Sequence, residues 1–90
     1  MLFRSAGQAL VVSWRAFDAI LTAVEALRDG GVLRPGTPRA IQVADMIDTA
    51  RSALDAATAA QQAGNGAGFT EALLRAQQAF AGIRSALGER

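Results

Sequence analysis

Three stretches of this chain repeat apolar residues at alternating spacings of four and three positions, and glycine-containing turns separate them. This spacing places the apolar side chains on one face of an α-helix, because an α-helix has about 3.6 residues per turn. The pattern predicts helices over about residues 5–29, 38–63 and 69–87. Their apolar lines are, in order, Leu10, Trp14, Phe17, Leu21 and Val24, widened by Ile20 and Leu27; Val43, Ile47, Ala50, Leu54 and Ala57; and Phe69, Leu73, Ala76, Phe80, Ile83 and Leu87.

The residues between these stretches are typical of helix ends. Gly30–Gly31 ends the first helix, since glycine adopts the left-handed conformation of a helix C-terminus without a steric penalty. Thr37 is a favourable N-cap for the second helix, and Pro38 suits its first position. Residues 64–68 form a glycine-rich turn, and Gly68 is the predicted N-cap of the third helix.

Short connections between long helices favour antiparallel neighbours. We therefore expect a single all-α domain over residues 1–90, an elongated antiparallel three-helix bundle. The same apolar lines are also satisfied if the third helix exchanges into a neighbouring copy of the chain.

The chain contains no His, Cys, Lys or Tyr. These residues supply most general bases, nucleophiles and transition-metal ligands. Asp45 and Asp48 lie three positions apart on the polar side of the second helix, but two carboxylates fall short of the about six oxygen ligands that calcium takes. We expect no enzyme, no cofactor, no metal and no small-molecule substrate.

Charge also restricts the partners. The net charge is +1, and Arg28, Arg34 and Arg39 cluster around the first connection. Three arginines fall short of the about 6–10 phosphate contacts of a dedicated nucleic-acid binder, so nucleic acid is not an expected partner.

A membrane is not an expected partner either. The uncharged stretch Ser5–Trp14 is ten residues long, against about 20 for a membrane span, and we interpret it as the first turns of a helix. Arg15, Asp18 and Glu25 make the polar side of this helix roughly neutral, unlike a membrane-surface helix. The absence of cysteine fits a reducing compartment, so we expect a cytoplasmic location.

The first helix has more apolar surface than a three-helix bundle needs. A second line runs through Ala9, Val12, Ala16, Ala19, Ala23 and Ala26, about 160° around the helix from the large side chains. Either alanine fills this boundary because it is the best helix former, or the line packs closely against another chain.

Apolar residues also lie outside the helical lines, at Leu2, Phe3, Val32 and Leu33. They either fold back over the ends of the bundle or bind a partner. If they bind a partner, they form one interface with the second line of the first helix, and Arg34 and Arg39 make polar contacts at its rim. The predicted interface is Leu2, Phe3, Val12, Ala16, Ala19, Ala23, Ala26, Val32, Leu33, Arg34 and Arg39.

All basic residues are arginine, which together with the alanine content is typical of a GC-rich genome. The turn over residues 31–40 (G-x-L-x-P-G-x-P-x-A) and the alanine pattern of residues 53–69 resemble the uncharacterised small Ala-rich helical proteins of phages and prophages in GC-rich proteobacteria. This resemblance implies a structural subunit of a virion, in which case the expected location is the virion instead of the cytoplasm. The alternative is a small phage-encoded inhibitor that binds a host protein. In either case we expect a non-enzymatic helical interaction or assembly module whose partner is a protein, either itself or a larger complex.

Overall fold

A computed structural model describes residues 4–88, with side chains from residue 7 onwards. Helix α1 spans Arg4–Asp29, α2 spans Pro38–Gln62 and α3 spans Gly66–Ala86. The described residues extend over 44 × 20 × 20 Å, the shape expected from three long helices packed side by side. The prediction of an elongated all-α three-helix bundle is confirmed, with α3 packed against α2 of its own chain.

Contacts at the two ends of the rod show the antiparallel order. Gly7, near the start of α1, lies beside the side chain of Gln61 at the end of α2. Arg39, near the start of α2, lies beside the backbone of Ala86 at the end of α3. Each helix therefore runs opposite to the one before it.

Paired backbone hydrogen bonds end α1 as the glycines predicted. The N–H of Val32 donates to the carbonyl of Leu27 at 2.9 Å, and that of Gly31 donates to the carbonyl of Arg28 at 3.1 Å. Gly31 has a φ of 79°, the left-handed conformation that this arrangement requires. The predicted start of α2 is also confirmed, because the Thr37 side chain accepts a hydrogen bond from the N–H of Ala40.

The turn between α2 and α3 is tighter than the sequence suggested. Gly64 has a φ of 73°, and the N–H of Asn65 donates to the carbonyl of Ala60 at 2.8 Å. The side chain of Asn65 then accepts from the N–H of Gly68 at 3.0 Å and caps α3. The prediction of Gly68 as N-cap is wrong, because glycine has no side-chain acceptor and Asn65 supplies one three residues earlier.

Small side chains hold α2 and α3 close together over most of their length. Five alanines on the two helices are buried, and with so little side chain between the helices their backbones approach closely. Gly82 of α3 continues this contact, since a Cβ there would lie 3.0 Å from the sulfur of Met46. The buried alanines are Ala50, Ala53, Ala57, Ala72 and Ala76.

Larger side chains attach α1 to the α2–α3 pair. Phe17 is only 2% exposed and stacks on Phe80 of α3, with ring centroids 6.3 Å apart. Trp14 meets Phe17 edge to face, and its indole N–H donates to the hydroxyl of Thr58 on α2 at 3.3 Å. The Arg51 guanidinium of α2 lies over the Phe17 ring, 5.6 Å from its centroid. Aromatic packing at the middle of the rod thus joins all three helices.

The buried arc of α1 is shifted slightly from the predicted line. Leu10, Phe17 and Val24 are buried as expected, but Ile20 is more buried than Leu21. The arc is therefore centred nearer to Ile20 than the predicted line. On α2 and α3 the predicted lines are buried or half-buried.

Candidate interaction surface on α1

An apolar strip of α1 faces away from α2 and α3. Val12 is 63% exposed, and Ala19, Ala23 and Ala26 are exposed as well. These four residues, called here the α1 outer face, repeat at spacings of seven, four and three. The helical period that buries Phe17 on one side therefore places them on the other.

The face is narrower than the predicted interface. Ala16 is half-buried and packs against the main core, because it lies at the edge of the arc that contacts the rest of the bundle. Val11, which the sequence analysis did not select, is 51% exposed but lies about 100° around the helix from Val12, outside the face.

Leu33 is not part of an exposed surface. It is 4% exposed and belongs to the same core cluster as Val24 and Val43. Its N–H and that of Val32 both donate to the carbonyl of Leu27, which turns the chain back over the end of α1. Of the two alternatives, Leu33 thus folds back over the bundle, whereas Val32 remains 63% exposed.

The two arginines of the predicted rim differ in their surroundings. The Nε of Arg39 donates to the carbonyl of Ala86 at 2.7 Å. This contact satisfies one of the free carbonyls at the C-terminus of α3, so Arg39 caps that helix within the chain while its side chain remains exposed. Arg34 is exposed in the first connection. Leu2 and Phe3 lie outside the described residues.

An apolar cleft of about 280 Å³ opens between the end of α1 and the start of α2. Val24 and Leu33 line it together with Ile47, Arg28 lies among the lining residues, and Ile41 is half exposed beside it. Sequence reasoning missed this cleft, because it depends on how the first connection folds over the helix ends.

The polar surface offers little chemistry. Asp45, Asp48 and Asp55 are all exposed on α2. Among residues 4–88, no three acidic side chains are grouped so that they could hold a metal ion. None of the helices in the described part of the chain is long and apolar enough to cross a membrane.

The chain matches no protein-family model, and no curated protein or solved structure is significantly similar to it.

Proposed function

We propose that this chain is a non-enzymatic helical interaction and assembly module that acts by helix-on-helix packing through the α1 outer face. The observation that carries the proposal is the exposure of an apolar strip on a helix whose opposite side already packs in the core. The resemblance of the sequence to small phage proteins favours a structural subunit of a virion as the specific form of this role.

Small side chains make this strip suited to another helix. Ala19, Ala23 and Ala26 leave the backbone of α1 uncovered, so that a second helix approaches closely and gains many van der Waals contacts. The α2–α3 contact of this same chain is built in that way, through buried alanines. A helix is therefore the partner surface that the strip fits best.

Ala19→Arg tests the proposal, because it places a long charged side chain at the middle of the strip. We expect the unmodified chain to assemble in a dilution series followed by light scattering, and Ala19→Arg to abolish that assembly. Circular dichroism should show unchanged helicity, since position 19 makes no core contact. Ala81→Arg is the matched control, because Ala81 is an exposed alanine on α3.

An assembly that survives Ala19→Arg would contradict a role for the α1 outer face. A chain that stays monomeric at every concentration would contradict self-association and favour the alternative, a small inhibitor that binds a host protein. The next experiment would then be capture of a partner, with Ala19→Arg as the negative control.

A further inference from the structure

One border of the α1 outer face carries polar residues at every seventh position. They are Gln8, Arg15, Thr22 and Asp29, and all four are exposed. Residues seven apart on a straight α-helix lie within about 20° of one another, so these side chains form a line parallel to the apolar strip. The line carries a cation in the first half of α1, a neutral residue in the middle and an anion at the end.

The charge along this line is complementary to itself in one orientation only. If a second copy of α1 runs in the opposite direction and the two helices cross at Thr22, each Arg15 lies beside Asp29 of the second copy. If the copies run in the same direction, the two lines lie on opposite sides of the seam, and Arg15 does not meet Asp29 of the second copy. Charged residues bordering a helix–helix seam select the orientation of the pair in this way.

The apolar residues fit the same crossing point. With Thr22 at the centre, Ala19 of one copy lies level with position 25 of the second copy, between its Ala23 and Ala26. Ala23 then lies close to the twofold axis, where a small side chain allows the closest approach of the two backbones.

The position of Asp29 supports an external cation. It is the last residue of α1, and the negative end of a helix dipole disfavours a carboxylate there. An Arg15 side chain from a second copy would offset that unfavourable interaction.

We propose that the partner of the α1 outer face is a second copy of this chain, bound antiparallel and crossing at Thr22, with two symmetric Arg15–Asp29 ion pairs. The inference rests on the proposed function and adds to it the identity and the orientation of the partner. A twofold dimer of this kind uses the same patch on both copies, so each favourable contact occurs twice.

Charge reversal tests the orientation. We expect Arg15→Glu and Asp29→Arg each to weaken the dimer about tenfold or more, because each places like charges together at two symmetric positions. The double variant R15E/D29R should restore the affinity, and an equimolar mixture of the two single variants should form a mixed dimer. Asp45→Arg makes the same charge change on exposed α2 and should leave the dissociation constant unchanged.

Sedimentation equilibrium at fixed ionic strength gives these dissociation constants, and circular dichroism checks that each variant is folded. A dimer that Ala19→Arg disrupts but that both single reversals leave unchanged would overturn the antiparallel pairing and leave the proposed function standing. A dimer that also resists Ala19→Arg would overturn both. A monomer at every concentration would overturn the second copy as the partner.

Discussion

Phe17→Ala tests whether aromatic packing holds α1 to the rest of the bundle. The Phe17 side chain is almost completely removed from water and contacts Trp14, Phe80 and Arg51. Truncation removes the ring from all of these contacts and leaves a cavity at the point where the three helices meet.

The expected loss is large relative to the stability of such a chain. Truncating a buried Phe to Ala costs about 3–5 kcal/mol, which combines the lost burial with the cavity left behind. A domain of 90 residues is typically stable by about 5–13 kcal/mol. We therefore expect Phe17→Ala to lower the free energy of unfolding by about 3–5 kcal/mol and to leave a marginally stable bundle.

Urea unfolding at a fixed chain concentration measures this change, because assembly would add a concentration-dependent term. Circular dichroism follows the helices, and fluorescence of Trp14, the only tryptophan, follows the contact of α1 with α2. Leu74→Ala is the control, since Leu74 is 54% exposed on α3 and its truncation should cost less than about 1 kcal/mol. If Phe17→Ala cost no more than Leu74→Ala, Phe17 would not be what anchors α1.

Two further predictions concern the helix ends. Gly66→Ala should raise the free energy of unfolding by about 0.5–1 kcal/mol, because nothing lies within 4 Å of the added Cβ. Gly68→Ala should bring no gain in the same urea titration, because its Cβ would lie 2.5 Å from the Asn65 side chain that caps α3. Equal effects of the two substitutions would contradict the cap. Arg39→Met should lower the free energy of unfolding by about 0.3–1 kcal/mol and speed amide hydrogen exchange in the last turn of α3, because the carbonyl of Ala86 loses its cationic partner. Unchanged exchange there would show that the contact does not stabilise α3.

Periodicity predicted most of this fold because each helix buries one regular stripe. The helix ends marked by Gly31 and Thr37 were also predictable, since each residue acts on its own local backbone. The start of α3 was not, because two cap positions were chemically plausible within one glycine-rich turn. Asn65 serves both the end of α2 and the start of α3, and only the turn geometry shows that one residue does both.

The candidate surface was less predictable because it depends on contacts between distant segments. Arg39 caps α3 at Ala86, 47 residues further along the chain, which no local pattern indicates. Leu33 and Val32 are adjacent and both apolar, yet one is buried and the other exposed. That difference arises from the turn after α1, which points only one of the two side chains into the core.

Alanine serves two purposes in this chain, and its neighbours decide which. Between α2 and α3, buried alanines such as Ala50 and Ala76 bring the two backbones together. On α1, Trp14 and Phe17 fill the core side, and alanines such as Ala19 are left on the outside. An alanine methyl group that stays in contact with water loses at most about 0.8 kcal/mol of burial free energy. The exposed alanines of the α1 outer face therefore cost the folded chain little. In the assembly that we propose, a second helix on that face would gain its stability from close packing and matching charges more than from hydrophobic area, and the contact would weaken on dilution and at high salt.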